Sequence, residues 1–349
     1  MPSFFKKKEL WGILIGAALL VYCVKDIRPE DVRDLIIRVD FYYLIPALVM
    51  EFLMIITKSI RWRTIVENTR KIGIMQVLPL YSAGQVINIV MPALTGQIGR
   101  LLLFSRQASL SKTYVFSTIV LEILFDAITL LILILLLSTV FVFPAEYRSI
   151  GYIIAIATVS LFVLLYMILH YKNQIGNFGR RHVRNRWPGL YITLRKFARS
   201  FTRGIDLLRS TRYLTRTVIF SFLGWFSHIM VIYFLFKSFD FDLPFIAAVV
   251  VMVINTVALM IPITPGNAGT FEFAVVVALK TFSITKSDAV LYALALHILD
   301  LIPIFVMGLF FFRTNRMTIK EIKEEGEKEE LLEEVEDDSD SIAVREEQP

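Results

Sequence analysis

Cysteine is nearly absent. Cys23 stands alone in 349 residues, which excludes an internal disulfide and a multi-cysteine metal site. The marks of soluble catalysts are missing too: there is no GxSxG turn, no Walker A glycine loop, no HExxH helix and no acidic pair in an aqueous loop. No enzyme activity, cofactor or metal is expected from these absences. Without a nucleotide-binding loop, any transport is passive, ion-coupled or driven by a partner. Charge is also thin, at 19% of residues against 56% hydrophobic, with a mean hydropathy of +0.64. Soluble chains hold about 45–50% apolar residues.

What fills the chain is a series of apolar runs, several long enough to cross a bilayer as a helix. Spans are expected at 10–24, 41–60, 114–141, 151–169, 217–236, 244–261 and 289–312, with a further apolar run at 271–282. The fold class is an all-α polytopic membrane protein of about seven to eight transmembrane helices, with broken or re-entrant segments at 74–106 and 262–282 and an internal repeat.

Charge is partitioned as well as scarce. Residues 321–349 contain fourteen acids and three bases, which leaves the first 320 at +17, and such an excess belongs to cytoplasmic loops. Lys6, Lys7 and Lys8 precede the first run and no small-residue cleavage site follows it. This reads as an anchor with a cytoplasmic N-terminus rather than a signal peptide. Lys58, Arg61 and Arg63 mark the cytoplasmic end of the second span. Residues 172–216 carry twelve Lys or Arg against one acid and form a basic cytoplasmic loop that meets anionic headgroups rather than nucleic acid. If 74–93 crossed the membrane this loop would lie outside, so 74–106 is read as a hairpin that returns to the cytoplasm. Arg313, Arg316, Lys320 and Lys323 favour a cytoplasmic C-terminal end, which requires 266–282 to cross if 244–261 does. The domains expected are an integral unit at 1–318 and an acidic, disordered tail at 319–349, in the plasma membrane of a prokaryote.

Two stretches interrupt the apolar pattern in the same way. Met260 to Glu272 carries Pro262, Pro265, Gly266 and Gly269, so no continuous helix survives there. Met91 to Arg100 repeats the spacing, with Pro92, Gly96 and Gly99 matching Pro262, Gly266 and Gly269. Downstream, Leu110-Ser111-Lys112 matches Ile284-Thr285-Lys286, and the helix after each carries an aspartate fourteen residues past its lysine, Asp126 and Asp300. Non-helical backbone at membrane depth is tolerated only inside protein or beside water, and paired interruptions mark a binding site.

Ionisable residues inside these spans are costly and usually functional. Glu122 and Asp126 share a helix face, as do His297 and Asp300; they either handle a headgroup or proton in a polar cavity, or pair with Arg100, Lys112 or Lys286 and hold the repeats together. Arg100 and Glu272 close the two broken segments, either receiving the two charges of a zwitterionic headgroup or forming one salt bridge. Glu51, near the middle of its span, costs at least about 2.5 kcal/mol and needs a partner or a wet cavity. His228 reads as a packing histidine.

These residues resemble the flippase-like membrane family that includes the N-terminal half of bacterial lysylphosphatidylglycerol synthases. The resemblance rests on Arg61-Trp62, on Pro92, Gly96 and Arg100, on Glu122 and Asp126, and on Pro262, Thr264, Pro265, Gly266, Gly269 and Glu272. The family pattern is broken by Leu94, Gln97, Ile123 and Asn267. The resemblance implies translocation of a phospholipid or polyprenyl-linked glycolipid headgroup, or membrane support for a separate lipid-modifying enzyme, and no aminoacyl transfer. The substrate residues expected are Gly96, Gly99, Arg100, Glu122, Asp126, Pro265, Gly266, Gly269, Glu272, His297 and Asp300. Membrane lipids are the expected partners, an oligomer is possible, and the alternatives are a scaffold for a cytoplasmic transferase or a secondary transporter of a small solute.

Overall fold

Helices of two sizes make up the regular structure of the described residues. The computed structural model describes residues 14–25, 27–67, 70–90, 93–140, 210–260 and 264–315, with single positions between 156 and 205. Most of the expected span at 151–169, most of the basic loop at 172–216, the tail at 319–349, and Pro92 and Pro262 lie outside them.

In chain order, α1 is Leu14–Val24, α2 Pro29–Arg38 and α3 Leu44–Val66. Then follow α4 Ile74–Val90, α5 Ala93–Ala108 and α6 Lys112–Ser138. After the basic loop come α7 Thr211–Ser238, α8 Phe245–Leu259, α9 Thr270–Lys280 and α10 Lys286–Asn315. α3, α6, α7 and α10 have 23, 27, 28 and 30 residues and are apolar enough to cross a membrane. The helices between them are shorter. At 1.5 Å per residue, the 17 residues of α4, 15 of α8 and 11 of α9 reach only about 25, 22 and 16 Å, short of a hydrocarbon core of about 30 Å.

α4 packs against α5 and α8 packs against α9, so each short pair is a helical hairpin between two long helices. The chain from α3 to α6 and the chain from α7 to α10 therefore share one plan: long, short, short, long. The matched tripeptides show it atom by atom. Ser109 and Ser283 both take positive φ, 50° and 61°. Leu110 N–H donates to Ser105 O and Ile284 N–H to Leu279 O, while Ser109 N–H donates to Arg106 O and Ser283 N–H to Lys280 O. That is the Schellman closure at both sites. One residue later, Ser111 Oγ accepts from Tyr114 N–H and Thr285 Oγ1 from Asp288 N–H, the N-caps of α6 and α10.

The halves exchange partners. α10 of the second packs along α4 of the first, with Gly308 against Val86 and the Ser82 carbonyl, and α6 of the first packs on α8. α3 and α7 run together at the centre. The hairpin tips meet: the turn Pro265–Asn267 lies on α4, where Ile89 faces Gly266. α1 covers the second tip, with Gly16 against Thr264, Ala268 and Gly269. The outward surface is apolar, with Leu135, Leu136, Val306, Leu309 and Phe310 exposed, as lipid contact requires.

Two boundaries differ from the sequence reading. α3 runs on to Val66, so Arg61 is not at its end but 1% exposed inside the bundle; Trp62, Ile65 and Val66 are buried beyond it and carry the helix past the cations. α8 is a 15-residue helix packed against α9, shorter than the span expected at 244–261.

Candidate functional site

Each half builds one polar nest where its hairpin meets its long helices. In the first, Arg61 of α3 reaches α6 with both terminal nitrogens: Nη1 is 2.6 Å from Asp126 Oδ1 and Nη2 is 3.0 Å from Asp126 Oδ2, the two-point geometry that suits a guanidinium to a carboxylate. Nη2 is also 3.4 Å from Glu122 Oε1, and Nη1 is 3.2 Å from Ser221 Oγ on α7. Trp225 Nε1 donates to Asp126 Oδ1 at 3.1 Å. Arg100 of α5 donates through Nη2 to Glu122 Oε2 at 2.5 Å, and Tyr81 of α4 donates to Glu122 Oε1. The Arg100 guanidinium lies over the rings of Tyr81 and Phe104, at 5.1 and 5.0 Å. Two cations thus meet two carboxylates. Arg61 Nε, Arg100 Nε and Gln97 Oε1 are nonetheless buried with no hydrogen-bond partner among the described residues.

In the second nest, Glu272 of α9 accepts from the Gly269 N–H at 2.7 Å, capping its own helix, and stands 2.7 Å from His297 Nδ1 of α10. His297 Nε2 is 3.1 Å from Gly266 O, and the ring stacks on Phe271 at 4.4 Å. A carbonyl only accepts, so Nε2 carries a proton, and a second proton is shared between Nδ1 and Glu272. This network ties the broken turn, with Gly266 at φ 57° and Gly269 at φ 86°, to α10. Deeper in the bundle, Glu51 of α3 and Asp300 of α10 flank His228 of α7, with His228 Nδ1 3.7 Å from Glu51 Oε2 and 3.9 Å from Asp300 Oδ1.

The nests correspond. Arg61 and His228 each lie seventeen residues past the first residue of their helix and face Asp126 and Asp300. Arg100 bonds Glu122, and Glu272 bonds His297, with acid and base exchanged between hairpin and long helix.

Of the expected residues, the structure brings Arg100, Glu122 and Asp126 together in the first nest, with Gly96 and Gly99 on the same hairpin arm, and Pro265, Gly266, Gly269, Glu272, His297 and Asp300 in or beside the second. It does not join Arg100 to Glu272. Each is held by an acid or base on the long helix that follows its own hairpin, so the single salt bridge expected as one alternative is replaced by two pairs. His228, read as a packing residue, faces two carboxylates. Sequence reasoning also missed Tyr81, Ser221 and Trp225, which nothing in their spacing distinguishes from ordinary polar and aromatic residues of apolar helices. Lys286, one of the cations offered as partners for these groups, donates to Tyr22 O at 2.9 Å.

Comparison with known proteins agrees with this plan. The family described as the lysylphosphatidylglycerol synthase TM region matches residues 10–308. A UPF0104 membrane protein of Pyrococcus horikoshii is 21% identical over 335 residues, 89% of this chain and 99% of that one. One from Methanothermobacter thermautotrophicus is 22% identical over 87% of this chain and 94% of its own length. A third, from Methanocaldococcus jannaschii, is 25% identical over 68% of this chain and 98% of its own. With its hairpins, its paired nests and a match over most of its length, this multi-pass membrane protein belongs to the family of the lysylphosphatidylglycerol synthase transmembrane region.

Proposed function

We propose that the protein moves the polar head of a lipid, a phospholipid or a polyprenyl-linked glycolipid, between the leaflets of a prokaryotic plasma membrane, without covalent chemistry. The observation that carries this reading is the seating of the second hairpin tip on α4, the helix whose Tyr81 shares Glu122 with Arg100, together with two buried guanidinium groups whose Nε atoms have no hydrogen-bond partner among the described residues. A headgroup crossing a bilayer needs polar partners at membrane depth while its tails stay in lipid. Arg100 donates to Glu122, and its buried Nε has no hydrogen-bond partner among the described residues, so a phosphate that enters the nest finds a donor without first breaking the pair. The interrupted backbone at Gly266 and Gly269 is held by His297 and Glu272, so polar side chains already gather where the helix breaks.

Lipids retained through gentle purification, identified by mass spectrometry, name the substrate; the same lipid, labelled and placed in proteoliposomes, tests movement. Accelerated exchange between leaflets by the wild type, reduced in Arg100→Lys at unchanged thermal stability, is the expected result, because lysine keeps the charge and loses the planar fork. Exchange no faster than in protein-free vesicles, for every lipid retained, contradicts the proposal.

A further inference from the structure

The two nests differ in charge. In the first, Arg61 and Arg100 balance Glu122 and Asp126. In the second, Glu272 is held by His297 and the Gly269 amide, which leaves Glu51 and Asp300 around one histidine. Glu51 is fully buried, at 0% exposure, and neither carboxylate oxygen has a hydrogen-bond partner among the described residues; the same holds for His228 Nδ1 and Asp300 Oδ1. An unpaired buried carboxylate is strongly unfavourable. Lys58 is one of the charged groups within electrostatic reach, with His297. Its ammonium lies over the Trp225 ring at 5.4 Å and makes no ion pair among the described residues, so it does not close the cluster.

Geometry narrows what does. One ligand atom from each of Glu51, His228 and Asp300 lies within 4.8 Å of the others. The separations from His228 Nδ1, 3.7 and 3.9 Å, exceed the roughly 2.5–3.2 Å of a hydrogen bond, so a shared proton does not bridge them as they stand. They lie near the roughly 3.3–3.6 Å between two donor atoms of a tetrahedral ion bound at about 2.0–2.2 Å.

We propose that Glu51, His228 and Asp300 form a site for a divalent transition-metal ion of the zinc class, joining α3, α7 and α10. One imidazole nitrogen with two carboxylate oxygens suits zinc, which accepts mixed N and O ligands in fourfold coordination; magnesium and calcium call for six or more oxygens. The fourth position falls to water or to a ligand. No motif announces the site, because its ligands come from three helices far apart in sequence.

The test uses the full-length protein in detergent, stripped with chelator and titrated with Zn2+, and in parallel with Co2+, whose visible absorption reports its ligands. One equivalent bound, a rise in melting temperature with Zn2+ but not Mg2+, and a loss of affinity of more than about tenfold in each of Glu51→Gln, His228→Asn and Asp300→Asn are expected. Where a variant fails to fold, the wild-type Co2+ spectrum decides: absorption of a nitrogen- and oxygen-ligated ion supports the site, and the spectrum of the hydrated ion overturns it. No uptake of Zn2+ by the wild type, or uptake unchanged in all three variants, also overturns it.

Discussion

Glu122 accepts from Arg61, Arg100 and Tyr81 together; Arg61 keeps its two bonds to Asp126, so removing the charge of Glu122 strands the buried Arg100 guanidinium. Breaking a buried pair from one side costs about 3–5 kcal/mol, and Glu122→Gln is expected to lower the thermal stability of the solubilised protein by that order. Arg100→Leu in the same background should recover part of the loss, since it removes the stranded cation, and a double-mutant cycle measures the coupling. The exchange Arg100→Glu with Glu272→Arg should rescue nothing, because the two residues belong to different nests. The acids were legible in the sequence because carboxylates are rare in apolar helices. Their partners were less so: Arg61 sits at the end of an apolar run, where a cation ordinarily marks the membrane surface, and only the burial of Trp62, Ile65 and Val66 beyond it shows that the helix continues inside protein.

At the scale of the element, the second hairpin turns on two glycines with different constraints. Gly266 has φ 57° and its added Cβ would meet only ordinary contact, 3.4 Å from Ile89 Cγ2. Gly269 has φ 86° and its Cβ would run into the backbone of Gly16. Gly266→Ala should therefore cost about 1–2 kcal/mol, the penalty of a left-handed L-residue. Gly269→Ala should cost clearly more and displace α1, a difference that parallel melting curves would reveal. The same penalty predicts that Ser283→Gly, at the Schellman turn before α10, gains about 1 kcal/mol. The spacing of prolines and glycines marks the second interruption, where Gly266 and Gly269 both fall outside the helix. It misplaces the first: α4 ends at Val90 and α5 runs unbroken from Ala93 through Gly96, Gly99 and Arg100, because glycine in a packed helix costs only about 1 kcal/mol. The pairing of α8 with α9 was not legible, because a run of eighteen apolar residues is the same string whether it crosses the bilayer or folds back within it; only the length of the helix that forms, 15 residues, separates the two.

For the whole molecule, the hairpins set the sidedness. If the N-terminus is cytoplasmic and the first expected span at 10–24 crosses, α3 returns and the α4–α5 hairpin should open from the cytoplasmic face, where Arg70 and Lys71 precede it. The chain leaves again in α6. A crossing at 151–169 would bring the basic loop back inside, and α7 would then carry the chain out to Asp240 and Asp242. On that path the α8–α9 hairpin should open from the outer face and α10 should bring Arg313 back to the cytoplasm, in accord with its charge. Two hairpins entering from opposite sides with tips in contact are what inverted repeats produce, and the shared closures at Ser109 and Ser283 are then the same turn on opposite faces of the membrane. Replacement of the buried Cys23 by serine supplies a cysteine-free background for a test. In it, Ser283→Cys should react with a membrane-impermeant maleimide added to intact cells, while Ser109→Cys and Asn185→Cys should react only after the membrane is opened. Labelling of Ser109→Cys and Ser283→Cys from the same side would mean that one hairpin is a true crossing, and the inverted arrangement would have to be abandoned.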